Sequence, residues 1–392
     1  MADADVLIVG AGAAGSACAE ALAEASFDGS VVVVGRDVDP PYDRPMCSKD
    51  YLRGDVSREE TYLDVPGDLD LRIRTSVMKL DPSARTAQLS AGGQISFDRA
   101  VLATGALVRR LRVDGADLDG VHYLRALGNA DAIRADAEDA ERVVLVGGSY
   151  IACEVAASLT VQGKRCTLLM PEEGPLSLGF GPTAGAFFAG VLRDHGVDWV
   201  AGEGLGRFEG DGRVSRVVTE SGRVLDTDMV VMGTGAAPDV MLARSAGLEL
   251  GETGGVACSA TLETSAEGIW AAGDACEYDS VVHRRRLRIE HWEVARAQGA
   301  AVAGYLQGAS EPYDEVPYFW SDLADWCTLE YVGPAAGWDQ EVMRGSPESG
   351  EFTIYYLTGG RVGGALTVGR SEDLDRAREL MRSGEPVSAG DL

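Results

Sequence analysis

The stretch DVLIVGAGAAGSACAEALAEA, residues 5–25, is the strongest signal of fold in this sequence. Five residues that suit a buried strand run into glycines, and small helix-forming residues follow them. Gly10, Gly12 and Gly15 obey the G-x-G-x-x-G pattern. In this pattern the first glycine permits a tight turn, the second lets the backbone approach a pyrophosphate, and the third lets helix and strand pack closely. The stretch therefore predicts the strand, turn and helix of a dinucleotide-binding unit.

The next apolar run, SVVVV at residues 30–34, ends at Gly35-Arg36-Asp37. An acidic residue at the tip of the second strand, about 20 residues beyond the glycine turn, is the residue type that accepts hydrogen bonds from a ribose. Asp37 occupies that place, so the first 37 residues predict a complete βαβ unit.

The same order of elements recurs in the middle of the chain. The apolar residues 143–146 enter the turn GGSYIA at residues 147–152. A helix to about residue 162 and a strand at residues 165–170 are expected to follow. The chain therefore carries its nucleotide-binding unit twice.

The second copy departs from the glycine pattern. Ser149 and Ala152 stand in place of the second and third glycines, and Met170 stands where the strand-tip acid is expected, with Glu172 two residues later. The residues alone leave two readings, a working nicotinamide-dinucleotide site or a degraded domain that is kept for structure.

Both copies continue to an apolar strand that ends in a small-residue turn, at residues 101–105 and 230–235, which indicates a domain duplication. Residues 268–274 predict another buried strand that ends in an acid. Beyond residue 317 the sequence becomes aromatic and rich in hairpin signals, which predicts an antiparallel sheet with a helix near residues 373–381. The predicted fold class is α/β, with two Rossmann-like three-layer domains and a C-terminal α+β interface domain.

Composition excludes several other classes of protein. The 392 residues include 62 acidic and 35 basic ones, and the formal net charge of -27 repels nucleic acid and anionic lipid. Seven cysteines without a C-x-x-C pair and only four histidines suggest neither a disulfide framework nor a metal site. Neither a signal peptide nor a membrane span is expected, so the cytoplasm is the predicted location.

Several separate segments resemble one known family, the FAD-dependent pyridine-nucleotide reductases of the ferredoxin-reductase type, and together they cover nearly the whole chain. The segments are PYDRPMCSK (residues 41–49), Ala103-Thr104-Gly105, Leu124-Arg125, Gly273-Asp274, Glu290-His291-Trp292 and YFWSD (residues 318–322). The resemblance implies an FAD-binding domain at residues 1–110 and 245–317. It also implies an NAD(P)H-binding domain at residues 111–244 and a C-terminal interface domain at residues 318–392.

The resemblance implies a flavoprotein that passes electrons from NAD(P)H through FAD to an iron-sulfur ferredoxin, which in turn serves a P450 or Rieske oxygenase. NADH is favoured over NADPH because no arginine cluster follows Met170 to receive a 2'-phosphate. The expected protein is a monomer or a homodimer that binds neither nucleic acid nor membrane.

The resemblance also implies the cofactor contacts. Asp37 would accept the adenine ribose hydroxyls, Arg44 would lie over the adenosine half of FAD, and Asp274 would bind its ribityl or pyrophosphate part. Lys49 beside the flavin and Glu154 across the nicotinamide pocket form the predicted catalytic pair. The full set of predicted cofactor-binding residues is Gly10, Gly12, Ala13, Ala14, Gly15, Asp37, Arg44, Lys49, Val77, Ala103, Thr104, Gly105, Arg125, Gly147, Ser149, Tyr150, Ile151, Glu154, Glu172, Gly235, Gly273, Asp274, His291 and Trp292.

Each member of the predicted pair has an ordinary alternative role. A lysine after a proline-rich turn is often an exposed surface residue, and Lys49 admits that reading. Glu154, near the start of the second helix, can also be an acid of the first turn that complements the helix dipole. These alternatives differ from the catalytic reading in burial and in hydrogen-bond partners.

Two departures from the family pattern leave further alternatives open. Met46 and Cys47 replace a proline and a leucine, so Cys47 is either a small packing residue or the redox thiol of an NADH oxidase or disulfide reductase. Leu323 and Ala324 replace a glutamine and an aromatic residue, which puts partner specificity in doubt.

The second glycine turn and a basic run each leave an alternative open. If the nicotinamide site at the second turn has decayed, the chain would be an FAD-binding interaction or signalling protein. The basic run at residues 283–288 either docks an acidic ferredoxin or pairs with carboxylates inside a hairpin.

Overall fold

The computed structural model describes residues 3–67 and 69–392. The first part of the chain contains β1 Ala4–Val9, α1 Ala13–Glu24, β2 Val31–Val34, α2 Asp50–Arg53, β3 Asp70–Arg72, β4 Val77–Asp81, β5 Thr86–Leu89, β6 Gln94–Leu102 and β7 Ala106–Val108. Short 3₁₀ helices lie at Arg44–Ser48 and Glu59–Thr61. The strands β3, β2, β1 and β6 form a parallel sheet in that order. The start of β6 pairs antiparallel with β5, so β6 joins the parallel sheet to a hairpin.

The turn between β1 and α1 requires two of its glycines. Gly10 has φ +115°, and a Cβ on it would lie 2.0 Å from the carbonyl oxygen of Ala103. A Cβ on Gly15 would lie 1.8 Å from the carbonyl oxygen of Gly10, so the helix can approach the turn only without a side chain there. The predicted strand, glycine turn and helix are confirmed.

The middle of the chain repeats this architecture. It contains β8 Val121–Tyr123, α3 Leu127–Asp139, β9 Arg142–Val146, α4 Tyr150–Val161, β10 Arg165–Leu169, α5 Ser177–Asp194, β11 Asp198–Val200, β12 Leu205–Asp211, β13 Arg213–Thr219, β14 Val224–Asp226, β15 Met229–Met232 and β16 Ala236–Pro238. The parallel sheet has the order β11-β10-β9-β15-β8, and β12, β13 and β14 form a separate antiparallel sheet. The short strands β16 and β7 pair antiparallel and connect the two nucleotide units.

The chain then returns to the first sheet. This part contains α6 Met241–Ser245, β17 Val256–Cys258, β18 Ile269–Ala271, a 3₁₀ helix Gly273–Ala275, β19 Cys276–Ser280, β20 Arg285–Leu287 and α7 Trp292–Leu306. Strand β18 pairs parallel with β6, and β17, β19 and β20 form a small sheet. The helices α7 and α1 are in backbone contact, since a Cβ on Gly299 would lie 2.1 Å from the carbonyl oxygen of Ala14.

The last part is the predicted antiparallel sheet with a helix, and its existence is confirmed. It contains β21 Tyr318–Leu323, β22 Cys327–Val332, β23 Gln340–Ser346, a 3₁₀ helix Pro347–Ser349, β24 Glu351–Thr358, β25 Arg361–Val368 and α8 Glu372–Ser383. The sheet has the order β21-β22-β25-β24-β23, and α8 packs on it through Leu374, Ala377 and Leu380. The exact domain limits at residues 110, 245 and 317 stay a prediction. None of the described helices combines the length and the apolar character needed to cross a bilayer.

Candidate active site

A cavity of about 500 Å³ lies where the three parts of the molecule meet. Its volume is within the usual range of pockets that bury a small molecule. Both glycine turns, the 3₁₀ helix Arg44–Ser48 and strand β21 contribute to its wall. Twenty of the predicted cofactor-binding residues line it: Gly10, Gly12, Ala13, Ala14, Asp37, Arg44, Lys49, Ala103, Thr104, Gly105, Arg125, Ser149, Tyr150, Ile151, Glu154, Gly235, Gly273, Asp274, His291 and Trp292.

The other four predicted residues lie outside the cavity wall. Gly15 and Gly147 act through the backbone, since a Cβ on Gly147 would lie 2.2 Å from the carbonyl oxygen of Gly233. Glu172 lies behind the second glycine turn. Val77 lies at the start of β4 and packs against the core of the first sheet. Its predicted contact with a cofactor stays a prediction.

Two of the helices that begin at the cavity, α1 and α4, leave their N-termini open. Helix α1 follows Gly12 and α4 follows Ser149, and neither has a side-chain cap or an acidic residue in its first turn. The free N–H groups and the helix dipole at such an end attract an anion. Both turns therefore suit a phosphate or pyrophosphate.

Lys49 and Glu154 form a buried ion pair. The ammonium Nζ lies 2.5 Å from Glu154 Oε1, and Lys49 and Glu154 are 7% and 5% exposed. Burial excludes the reading of Lys49 as a surface lysine. Glu154 is the fifth residue of α4, beyond its first turn, so the helix-dipole reading is wrong as well. The ammonium also lies 5.0 Å from the ring centre of Trp320.

Two buried hydroxyl groups complete the surroundings of Glu154. Ser48 Oγ donates to Glu154 Oε2 at 2.5 Å, and Ser321 Oγ donates to Oε1 at 2.5 Å. Ser48 and Ser321 are 2% and 1% exposed. Both carboxylate oxygens are therefore hydrogen-bonded, as buried charges require.

An aromatic wall closes the cavity beside this pair. The His291 ring stacks on Phe319, with centroids 3.9 Å apart and an interplanar angle of 10°. Tyr150 meets Phe319 edge to face at 5.1 Å. Burial lowers the pKa of His291 to about 4, against the opposing effect of Asp274. His291 is therefore a neutral apolar surface near pH 7.

A second polar network lies at the tip of β2. Arg44 Nη2 donates to Asp37 Oδ2 at 3.1 Å, and Arg44 Nη1 donates to the Tyr42 hydroxyl at 2.7 Å. The Tyr42 hydroxyl donates to Asp37 Oδ2 at 3.2 Å. Further along the cavity, Arg125 Nη2 lies 2.9 Å from Asp274 Oδ2. Arg44 Nη1 also donates to the carbonyl oxygen of Arg125, so these contacts link predicted FAD residues from three chain segments, at residues 37–44, 125 and 274.

The Ala152 substitution in the second copy has a structural explanation. Ala152 lies so close to Gly233 that a Cβ on Gly233 would be 2.8 Å from the alanine methyl. In the first copy, Gly15 of the helix corresponds to Ala152. Ala103, which follows β6, corresponds to Gly233, because a Cβ on Gly10 would approach Ala103 as a Cβ on Gly147 would approach Gly233. In each copy one of the two positions is an alanine and the other a glycine. The alanine follows the strand in the first copy and lies in the helix in the second, so helix and strand pack closely in both. Ser149 is exposed at the helix start and lines the cavity.

Glu172 lies beside the second glycine turn, two residues beyond Met170 at the strand tip. Met170 is fully buried beneath the second glycine turn. Glu172 Oε2 would lie 3.4 Å from a Cβ on Gly148, so the carboxylate is beside the turn. Within the part of the chain that the structure describes, this oxygen is buried without a hydrogen-bond partner. A buried acceptor without a donor fits a missing hydroxyl group of a ligand.

Cys47 lines the cavity but is poorly suited to thiol chemistry. Burial raises the pKa of its thiol to about 12, so the reactive thiolate is scarce near pH 7. Cys47 is 3% exposed and packs with Tyr42, Tyr51 and Leu52. The environment supports the packing reading rather than the redox-thiol reading.

Sequence reasoning missed several residues of the site. Ser48, Ser321, Phe319, Trp320 and Tyr42 all contribute side chains, but none was among the predicted site residues. One signal was available in β21, where Phe319, Ser321 and Leu323 alternate inward. A serine at an inward position between two large apolar residues indicates a buried hydroxyl with a partner.

The residues present fit FAD and a nicotinamide dinucleotide. A Cβ on Gly12 would have no neighbour closer than Arg44 Nη2 at 3.9 Å, so the turn leaves open the space that a pyrophosphate needs. The second turn has its own open helix end and the unpartnered oxygen of Glu172. The fold and this site define an oxidoreductase class that binds two dinucleotides with their reactive ends in one cavity.

The chain belongs to the pyridine nucleotide-disulphide oxidoreductase family. The model of that family matches residues 4–299, and the reductase C-terminal model matches residues 318–392. This membership confirms the predicted family resemblance, the fold class and the cofactor pair of FAD and NAD(P)H.

Characterised relatives match almost the whole chain. Rhodocoxin reductase of Rhodococcus erythropolis is 33% identical over 389 residues, which are 98% of this chain and 90% of the relative. The ferredoxin–NAD(+) reductase component of the anthranilate 1,2-dioxygenase system of Burkholderia cepacia is 33% identical over 390 residues, 96% of this chain and 94% of the relative. Among solved structures, the reductase in the covalent putidaredoxin reductase–putidaredoxin complex superposes with a TM-score of 0.93 at 32% identity. The match covers 100% of this chain and 95% of the chain in that structure.

Proposed function

We propose that this chain transfers electrons from NADH through FAD to an iron-sulfur ferredoxin that serves a P450 or Rieske oxygenase. The observation that carries the proposal is the single cavity lined by both glycine turns, with the buried Lys49–Glu154 pair in its wall. The relatives named as rhodocoxin reductase and as a dioxygenase reductase component support the same activity. The cytoplasm is the proposed location.

The first nucleotide unit would hold FAD. The open start of α1 at Gly12 would bind the pyrophosphate, and the Asp37 carboxylate would accept the ribose hydroxyls. Arg125 and Asp274, which pair at 2.9 Å, would orient the middle of the cofactor. When bound, FAD supplies the redox chemistry, because it accepts an electron pair from a nicotinamide and releases electrons singly to a one-electron acceptor.

Lys49 would hold a proton and a positive charge at Nζ beside the flavin. In a site that excludes water, such a charge stabilises negative charge on the cofactor more strongly than it does in water. The Glu154 carboxylate, whose Oε1 lies 2.5 Å from Lys49 Nζ, balances this charge when the cofactor carries no negative charge. The pair therefore lets the site accept charge without leaving an isolated ion buried.

The aromatic wall would exclude water and keep the two rings in place. Neutral His291 on Phe319 gives a flat surface at one end of the cavity. Tyr150 is the first residue of α4 and lies between the second glycine turn and this wall. The centroid of its ring is 6.1 Å from that of His291 and 5.1 Å from that of Phe319. Its side chain therefore extends the aromatic wall toward the second glycine turn.

We attribute the proposed preference for NADH to the carboxylate oxygen of Glu172 that has no hydrogen-bond partner among the described residues. It can accept a hydrogen bond from a ribose 2'-hydroxyl, and it repels a 2'-phosphate. We expect Glu172→Ser to lower the ratio of kcat/KM for NADH to that for NADPH by about tenfold, which is about 1.4 kcal/mol. Steady-state kinetics with both coenzymes measures the ratio.

Glu173 offers the matched control for this change. It is the adjacent acid and is exposed, so Glu173→Ser removes the same charge from the surface. The control should leave the coenzyme ratio within about twofold, because solvent and salt screen exposed charges. Equal effects of the two variants would contradict the role given to Glu172.

The proposed ferredoxin would dock at the rim formed by the C-terminal sheet. Trp320 lines the main cavity and also a second, outer cavity of about 120 Å³, which Ala324 lines as well. The small Ala324, where the family usually has an aromatic residue, leaves this recess in the rim. In the basic run, Arg286 pairs with Asp279 at 2.9 Å and Arg288 pairs with Glu290, so part of the run is neutralised within the chain.

Electron transfer to a ferredoxin tests the proposal. Anaerobic protein, NADH and an oxygenase-type ferredoxin should give reduced ferredoxin at a rate that saturates with ferredoxin concentration. A protein that reduces its flavin with NADH but transfers electrons only to oxygen or to a disulfide would overturn the proposed acceptor.

A further inference from the structure

The Glu154 carboxylate is bonded to side chains from both other parts of the molecule. It belongs to α4 of the second nucleotide unit, while Lys49 and Ser48 come from the first unit. Ser321 comes from β21, within the segment matched by the reductase C-terminal model. One carboxylate therefore receives three donors, each at 2.5 Å, from two other parts of the chain.

We propose that Ser321, together with Ser48, is a positioning residue that fixes Glu154 where it neutralises Lys49, so that the C-terminal domain sets the charge state of the redox cavity. The inference rests on the proposed function, because it assigns these hydroxyls an effect on bound FAD. Ser48 lines the cavity and Ser321 lies behind Glu154, and the role given to both is exerted through the Glu154 carboxylate.

The positions of the two hydroxyls are fixed by their own surroundings. Ser321 pairs with Leu329 in the ladder between β21 and β22, and its side chain points inward between those of Phe319 and Leu323. Ser48 is held through its carbonyl oxygen, which accepts from Ser158 Oγ at 2.7 Å. The backbone of each serine is thus held in place, so the two hydroxyls approach the carboxylate from fixed positions.

The charges around Glu154 explain why its position matters. The Lys49 ammonium and the Ser321 hydroxyl share Oε1, while the Ser48 hydroxyl takes Oε2. Loss of one donor weakens the hold on the carboxylate, because charge-assisted hydrogen bonds are the strong ones that fix its position. Lys49 would then be less well neutralised, and its positive charge beside FAD would favour the reduced cofactor.

The test is the midpoint potential of bound FAD, measured by equilibration with redox dyes. Ser321→Ala is expected to shift the ratio of reduced to oxidised FAD about tenfold toward reduction at fixed ambient potential, which is about 30 mV for a two-electron couple. Ser48→Ala should shift the potential in the same direction. Ser321→Thr, which keeps the hydroxyl, should restore the wild-type potential.

Thr353 provides a matched control in the same C-terminal sheet. Its buried hydroxyl also donates to a carboxylate, that of Asp373, at 2.8 Å, but it lies outside the cavity wall. Thr353→Val should leave the potential unchanged. In a Glu154→Gln background Ser321→Ala should add no further shift, because the charge that it positions is gone.

An unchanged potential in folded, FAD-containing Ser321→Ala and Ser48→Ala would overturn the inference. A shift of equal size in Thr353→Val, or a full additional shift in the Glu154→Gln background, would overturn it too, since the effect would then be general. Failure to reduce ferredoxin would instead count against the proposed function. The dye titration needs no ferredoxin, so the two failures can be told apart.

Discussion

Gly12→Val is expected to give a folded but colourless protein. Gly12 has φ -81° and ψ -163°, which a β-branched residue can adopt, and a Cβ there would meet only Arg44 Nη2, at 3.9 Å. The fold therefore tolerates the change. The added side chain would fill the space that the pyrophosphate needs above the turn, so we expect FAD affinity to fall by about a hundredfold or more. Flavin absorbance per protein after incubation with FAD and gel filtration measures the loss, and circular dichroism checks the fold.

Gly190→Val is the control for this experiment. Gly190 lies in α5, and a Cβ there would have no neighbour within 4 Å among residues 3–67 and 69–392. This variant should be yellow. If Gly12→Val binds FAD as tightly as the wild type does, the first glycine turn is not the pyrophosphate site.

The second large effect concerns the buried ion pair. Glu154→Gln and Lys49→Met should each lower the free energy of unfolding by about 3–5 kcal/mol, because each leaves the partner charge buried and uncompensated. The double variant should recover most of this loss, since no unpaired charge remains. Denaturant unfolding of the apoprotein, followed by circular dichroism, gives the four free energies of the cycle.

An exposed pair supplies the comparison. Arg207 and Glu209 lie 2.6 Å apart, with side chains 48% and 30% exposed. Removing this pair should change the free energy of unfolding by no more than about 1 kcal/mol. The double variant, with Lys49→Met and Glu154→Gln, could instead be as unstable as the less stable of the two single variants. That result would show that the pair contributes more to stability than mutual charge compensation.

Local patterns in the sequence predict the fold well. The elements β1, α1 and β2 follow from an apolar run, a glycine turn and a helix-forming stretch, and all of these signals lie within 30 consecutive residues. The antiparallel C-terminal sheet follows in the same way from its hairpins. Such local patterns predict helices, strands and hairpins without knowledge of which distant residues are in contact.

The compensation in the second copy could not be seen locally. The motif tolerates an alanine at the position of Ala152, but it does not show that the space for the methyl group is provided by Gly233, which directly follows the neighbouring strand β15. The two positions lie 81 residues apart in the numbering, and only the folded chain shows that they touch. A substitution that is compensated by a distant residue cannot be recognised from the motif alone.

The hydrogen-bond partners of Glu154 show the same limit. Family resemblance placed Lys49 and Glu154 near each other, but the hydroxyls of Ser48 and Ser321 lie 106 and 167 residues away from Glu154 in sequence. Burial of the carboxylate required such donors, but it did not say which residues supply them. Only the alternation of β21 hinted at Ser321.

Anaerobic titration with NADH tests the central claim most directly, namely that a nicotinamide meets bound FAD in the cavity beside Lys49. The account predicts that the yellow protein loses its oxidised-flavin absorbance as NADH is added in amounts stoichiometric with FAD. A flavin that stays oxidised with excess NADH or NADPH and bleaches only with dithionite would contradict it.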